Sequence, residues 1–526
     1  MKKLEAFIVL CVSLVLLLLS FYPILYRYQT TPAGRLYVGT EFFTQDFAGY
    51  VSTINQGRKG EWFYKDKFTN ENLPSTMLYF PYLLLGQVAR ILNLNALVMY
   101  HLARLGLGVL YLLLTYQITK LFFPQNSKTD SLKRIISFLL IIFTSSLPMF
   151  IGGKFSSSSL SQTTAEIQVF TRYVIQPHYL LGNILLLFLI FLVLRLISNV
   201  KKKNGNIFYF SFIAIFCLSF FRPSHSLLFI LSLLIFNSYL YFTKGLTKRI
   251  FLFSVGNLFF SLPGIFYLSY LKNNFPFLPY FSYDLNSGVG VSLTDFIFSF
   301  GLNFLLVFFG LWFLFKKRKL EGKVVFLYCY LCAVVLCLFI LSQIIPINSL
   351  RFIQTPTFII VGLLSSVVIF SQLKNIYLIL ATCCLILAFS LPTLLIDFRH
   401  QVKLYYDAYY IWPPQKYWEG FSFLEKNSKT SDLVLTYQSL SNLVPMITGN
   451  NVFWGHTNET LNYEKKKNQV EKFYRMEMKE NEAKALLSKN SVKYILVGRE
   501  EKFLGWSGYK FLKKIFSNEE IEIYTY

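Results

Sequence analysis

Residues 39–50 read Gly39-Thr40-Glu41-Phe42-Phe43-Thr44-Gln45-Asp46-Phe47-Ala48-Gly49-Tyr50. Two carboxylates, Glu41 and Asp46, stand among aromatic rings about 20 residues beyond an apolar run, Leu4–Tyr22, that follows Met1-Lys2-Lys3. A carboxylate at the edge of a membrane costs free energy and marks a functional site unless something else explains it. The bland explanation is local: Thr44 and Asp46 both suit a helix N-cap. Which side of the membrane this stretch faces therefore decides what the chain can do.

The surroundings are those of a polytopic membrane protein. Of 526 residues 54% are apolar and 15% charged, with a mean hydropathy of +0.47; a soluble domain carries about 25% charged residues. Long apolar runs exclude a soluble globule, a disordered chain and a collagen-like fibre. After the first run, spans are predicted near 97–119, 134–151, 178–198, 207–221, 224–243, 250–271, 293–315, 324–345, 355–371 and 375–395. The first run has no small-residue cleavage site behind it and reads as an uncleaved anchor.

The net charge of +24 locates the loops. Residues 396–526 hold 19 Lys and Arg against 16 Asp and Glu, whereas residues 1–395 hold 32 against 11. The excess sits between apolar segments, which is the positive-inside pattern rather than a nucleic-acid footprint. Lys201-Lys202-Lys203, Lys244–Arg249, Lys316-Lys317-Arg318-Lys319 and Lys128–Arg134 are then cytoplasmic. Counting from them, span 97–119 runs outside to inside. The short apolar segment 77–92, with Pro81, Gly86 and Arg90, then cannot cross and lies at the outer interface. The expected architecture is an α-helical polytopic membrane protein of about 11 transmembrane helices in the cytoplasmic membrane, N-terminus inside. Residues 1–395 form the transmembrane domain, with a first outer loop at 27–96. Residues 396–526 form a small outer α/β domain, with strands at Asp432–Tyr437, Asn451–Gly455, Val492–Gly498 and Glu520–Tyr526 and charged helices within 459–489.

All seven cysteines fall in apolar segments, so neither a disulfide framework nor a zinc site is expected. There is no P-loop, GxGxxG, nucleophile elbow or internal repeat.

The first loop, with its acid between aromatic residues, the juxtamembrane segment 77–92, the many spans and the outer tail together resemble the GT-C superfamily of membrane glycosyltransferases. The branch with protein O-mannosyltransferases and lipid A aminoarabinose transferases is the most similar in outline. The resemblance covers most of the chain as architecture. It implies that the first-loop acid, here Asp46, is the catalytic base. Two features depart from the pattern: Asp46 is followed by Phe47 where many members have a second acid, and Asn72-Leu73-Pro74 replaces His-Pro-Pro. The stretch Thr448-Gly449 to Thr460 also looks like tails in this group, without an assigned role.

The chemistry suits that placement. A polyprenyl-phosphate sugar keeps its lipid in the bilayer and its sugar at the surface. Transfer needs a base for the acceptor hydroxyl and cations for the departing phosphate. Asp46 is the expected base, and Glu41 an acceptor-binding or supporting group. Arg104, Arg172, Arg222 and Arg351, joined by His178 and His225, are the expected phosphate partners, since a guanidinium grips phosphate with two parallel hydrogen bonds. Each has a structural alternative, such as snorkelling to headgroups or holding a tight turn. A divalent ion wants several oxygen ligands; without a DxD, metal-independent transfer is favoured, and no cofactor is expected. The expected partners are the lipid-linked donor, membrane lipids and an unidentified acceptor, with no nucleic acid. A lipid-linked oligosaccharide flippase or transporter, an envelope polysaccharide polymerase or ligase, and a scaffold displaying the tail are the rival readings.

Overall fold

The computed structural model describes residues 2–40, 43–124, 128–151, 153–158, 160–161, 164–198, 205–243, 245–281, 290–317, 321–345, 347–403 and 408–526. Glu41, Lys201-Lys202-Lys203, Lys244, Arg318 and Lys319 lie outside these residues. The chain is mostly helical and divides into two compact units. The first is Met1–Phe21, Arg104–Leu271 and Tyr283–Gln401; the second is Tyr22–Ala103, Lys272–Ser282 and Val402–Tyr526.

The first unit is built from apolar helices. Among the described residues eight helices of the chain are long and apolar enough to cross a membrane. They begin at Lys3, Ala96, Pro177, Pro223, Lys248, Gly322, Thr355 and Ile376, each coinciding with a predicted span. Of the other three predicted spans, 207–221 falls within a helix of 17 residues, Gly205–Phe221. The remaining two are interrupted. Segment 134–151 is helical only over Lys128–Ile142; Pro148 disfavours helix at the residue before it, and the chain passes into a hairpin of β1 (Met149–Ile151) and β2 (Lys154–Ser156). Segment 293–315 is broken into Leu293–Phe298 and Asn303–Lys317. The break has a cause in the packing: Gly301 sits at φ +62° against the carbonyl of Ser145, where a Cβ would come within 2.5 Å, and Leu147 N–H donates to Phe298 O. Among the described residues eleven full-length spans are therefore not confirmed.

One further feature of this unit is a buried ion pair near the chain's start. Arg134 holds Glu5 through two hydrogen bonds of 2.6 and 2.7 Å and gives a third, of 2.8 Å, to Phe123 O. Tyr116 O–H also donates to Glu5.

The second unit centres on a five-stranded mixed sheet, order β4-β3-β5-β7-β6, made of β3 (Leu433–Leu435), β4 (Asn451–Val452), β5 (Val492–Val497), β6 (Lys513–Ser517) and β7 (Glu522–Thr525). Strand β3 runs parallel to both neighbours, while β7 is antiparallel to β5 and β6. Successive strand residues point to opposite faces, and both faces are covered. Val434, Tyr494, Leu496 and Ile523 enter one apolar core. Leu433, Leu435, Ile495, Val497 and Tyr524 enter another, with Val470 and Phe473 of Tyr463–Tyr474 and Leu487 of Glu480–Lys489. Four of these strands were legible in the sequence. β6 was not, because Lys513 and Lys514 hide its edge-strand character.

The first core is shared with the loop before the spans. Helix Thr44–Arg58 supplies Phe47, Tyr50, Val51 and Ile54, and helix Phe80–Ile91 supplies Tyr82 and Ala89. At 12 residues the latter is about 18 Å long, too short for about 30 Å of hydrocarbon. The two helices touch backbone to backbone at Gly57 and Gly86, where a Cβ on Gly86 would lie 2.3 Å from Ile54 O.

Candidate functional site

Asp46 lies in the first turn of helix Thr44–Arg58. The residue before that helix is Phe43, in the left-handed region at φ 50°, and no side chain caps the helix. Asp46 is therefore not a helix cap. Its Oδ1 instead takes a 3.0 Å hydrogen bond from His456 Nε2 of the tail. His456 is 3% exposed, whereas the Asp46 side chain is 40% exposed. The neighbouring Gln45 is also held by the tail: its Oε1 accepts from Thr457 N–H at 3.1 Å and from Thr457 O–H at 2.6 Å.

More acid stands behind this pair. Glu459 is buried and takes hydroxyl hydrogen bonds from Tyr64 (2.6 Å) and Tyr79 (3.1 Å). Asp66, also buried, accepts from Phe68 N–H at 2.7 Å and from the Tyr280 hydroxyl. Burial, with the Glu459 charge adding to it, pushes the Asp66 carboxyl up to about 7. Burial alone would lower His456, but Glu459, Asp46 and Asp66 outweigh it and hold the imidazole above its usual range. Both tyrosine hydroxyls on Glu459 are driven far up by burial and that same carboxylate, so they remain donors.

The first unit holds a separate cationic cluster. Arg222 immediately precedes helix Pro223–Phe242, and His225 lies in its first turn. Arg222 stacks over the Tyr179 ring at 4.0 Å, and Arg351 Nη1 donates to the Tyr179 hydroxyl at 3.2 Å. His178 packs edge-on against the same ring. His225 Nε2 meets Asn183 Oδ1 at 2.9 Å. Glu166 is the counter-charge, 3.4 Å from Arg222 Nη2. Its burial raises the carboxyl, and Arg222 opposes that shift. Arg222 Nη1 and Glu166 Oε2 are buried without a hydrogen-bond partner among the described residues.

Four of the six expected phosphate partners, Arg222, Arg351, His178 and His225, thus come together around Tyr179. The other two are directed elsewhere. Arg104 Nε donates to Val174 O, its guanidinium lying over Phe21. Arg172, fully buried, donates to Ile167 O and packs on Phe358 at 4.6 Å. Glu41 cannot be placed, being outside the described residues. Sequence reading missed His456 and Glu459 as site residues, and Tyr179, Asn183 and Glu166 as parts of the cation cluster. No group of three or more metal-binding side chains occurs among the described residues.

This arrangement of helices and sheet matches solved membrane enzymes. The archaeal oligosaccharyltransferase AglB from Archaeoglobus fulgidus, solved with an inhibitory peptide and a dolichol-phosphate, superposes over 94% of this chain and 70% of its own, with TM-score 0.56 and 12% identity. ArnT from Cupriavidus metallidurans in its apo state superposes over 99% of this chain and 98% of its own, with TM-score 0.53 and 10% identity. Both are members of the GT-C superfamily. The chain has the GT-C fold. It is a multi-pass membrane protein. No protein-family model matches the sequence, and no curated protein does so either. At 10–12% identity the GT-C likeness is one of fold, and the roles of individual residues rest on their own geometry.

Proposed function

We propose that the protein transfers a sugar from a polyprenyl-phosphate carrier to an acceptor hydroxyl on the extracytoplasmic side of the membrane. The observation that carries this reading is the setting of Asp46. One carboxylate oxygen is fixed by a buried histidine, the other has no protein partner among the described residues, and the side chain is 40% exposed. That is the arrangement of a general base awaiting a proton. In the proposed step the acceptor oxygen forms a bond to the anomeric carbon and gives its proton to Asp46. The bond from that carbon to the phosphate oxygen breaks, and its electron pair leaves with polyprenyl phosphate.

Arg222 and Arg351 are proposed to hold the donor phosphate, with His178 and His225 as further donors. Arg222 supports this directly, because a buried N–H without a partner is costly and an anionic oxygen satisfies it. Tyr179 keeps the two guanidiniums in place. The oligosaccharyltransferase with a similar fold was solved with dolichol-phosphate, itself a polyprenyl phosphate. Orientation follows from the basic loops: the tail and the first loop are assigned to the outside and the N-terminus to the cytoplasm.

Replacing Asp46 by Asn keeps the shape and removes the base. Transfer measured in membranes containing the Asp46→Asn protein at normal abundance is expected to fall by about 10²–10⁴-fold. Turnover close to that of the unaltered protein overturns the reading.

A further inference from the structure

His456 lies 410 positions from its partner, yet it makes the hydrogen bond that fixes the proposed base. We propose that His456 is a positioning residue for Asp46, so that tail residues 455–460 are part of the transfer site; this rests on the reading of Asp46 as base.

The argument starts from the ring's two nitrogens. Nδ1 accepts a hydrogen bond from Asn458 N–H at 3.2 Å. An acceptor nitrogen carries no proton in neutral imidazole, so the proton is on Nε2, pointed at Asp46 Oδ1. With both nitrogens engaged, His456 has none left for a substrate hydroxyl. Its place is to hold the carboxylate, not to take the proton.

The ring is itself held. It packs against Phe68 with centroids 5.7 Å apart. Thr460 O–H donates to Phe68 O at 2.7 Å and accepts from Gly455 N–H at 3.0 Å, closing the turn that carries His456. Gln45, beside Asp46, is fixed by Thr457. Glu459 accepts both of its tyrosine hydroxyls and is 2% exposed. Of Asp46, Asp66 and Glu459, Asp46 is the one that reaches solvent.

Protonation of His456 has a defined effect. The charged groups facing it are Asp46, Glu459 and Asp66, with the hydroxyls of Tyr64, Tyr79 and Tyr280 behind them. These carboxylates draw a second proton onto the ring. An Nδ1–H would then oppose Asn458 N–H, and the imidazolium would tie Asp46 into an ion pair, weakening it as a base. Activity therefore falls as pH drops through the raised His456 value, above the ordinary imidazole range.

The test compares two variants with full-length protein in membranes. His456→Gln offers an amide N–H at nearly the Nε2 position and does not titrate. It is expected to retain most of kcat and to move the acid limb of the pH–rate profile to lower pH. His456→Ala is expected to lose about 10–100-fold in kcat, the size of effect known for removing a group that orients a metal-ligating side chain, with the donor KM nearly unchanged. A His456→Gln profile superimposable on that of the unaltered protein overturns the proposal, and this arm stands even where His456→Ala fails to fold. Full kcat in His456→Ala beside an inactive Asp46→Asn overturns it while sparing the base. An active Asp46→Asn overturns the base assignment beneath it.

Discussion

Arg222 shows how one side chain divides between structure and chemistry. It stacks on Tyr179, pairs loosely with Glu166 and, among the described residues, keeps Nη1 unpartnered. A hydrogen bond to a charged group is worth about 1.5–3 kcal/mol, so Arg222→Ala is expected to raise the donor KM by roughly ten- to a hundredfold. Arg222→Lys is expected to recover only part of this, because an ammonium lacks the planar fork and the ring-stacking face. Steady-state kinetics with a purified lipid-linked donor checks both. At this scale the sequence was informative where a residue type is rare in its surroundings. Asp46 among aromatics and Arg222-Pro223-Ser224-His225 between two apolar runs both stood out. His456 did not, since an imidazole in a polar tail says nothing about a carboxylate 410 positions away. Arg104 and Arg172 carry the same kind of signal. A guanidinium near a span end looks the same in sequence whether it awaits a phosphate or ties down a backbone carbonyl, as these two do.

Helix pairing sets the next scale. The helix bearing Asp46 is held against Phe80–Ile91 through Gly57 and Gly86, with no room for a methyl group on either. Gly86→Ala forces the pair apart and is expected to cost about 1–3 kcal/mol. Loss of activity would accompany the lowered melting temperature, because the helix carries the proposed base. The Glu5–Arg134 pair makes a contrasting case. Removing one partner strands a buried charge, and Glu5→Ala is expected to cost about 3–5 kcal/mol. The double replacement Glu5→Met with Arg134→Met is expected to recover most of this in thermal unfolding of the detergent-solubilised protein. Apolar runs revealed where the helices begin, since hydropathy is summed over many residues. They hid where helices break. Gly301 against Ser145 O, and the turn before Pro148, depend on contacts between segments far apart in the chain, so two predicted spans proved shorter.

Across the whole chain, the second unit gathers the first loop, a short segment at 272–282 and the tail. A linear reading divides these, because spans lie between them; the shared apolar core of Phe47, Tyr82, Leu440 and Ile523 joins the loop to the tail, and the Tyr280 hydroxyl on Asp66 ties in the short segment. This unit carries a buried acid whose titration links stability to pH. Asp66 is near 3.8 when unfolded and about 7 when folded. The folded state thus binds its proton more tightly, and the contribution is complete below about 4. It is lost as pH rises through about 7, above which the difference is constant. Melting temperatures measured across this window are expected to show a falling component that Asp66→Asn removes. An unchanged slope in that variant contradicts the assignment. The charge distribution assigned loops to faces of the membrane as an expectation; the GT-C fold bears out the mostly helical, multi-pass class of the chain with its small sheet region near the C-terminus.

The most direct measurement of the central claim follows the lipid carrier. Purified protein in liposomes is supplied with a polyprenyl-phosphate sugar and an acceptor extract, and free polyprenyl phosphate is quantified against sugar transferred. The account predicts equal amounts of both products from the unaltered protein and none above background from Asp46→Asn. Carrier that crosses the bilayer with its sugar still attached, or carrier cleaved equally well by both proteins, contradicts it.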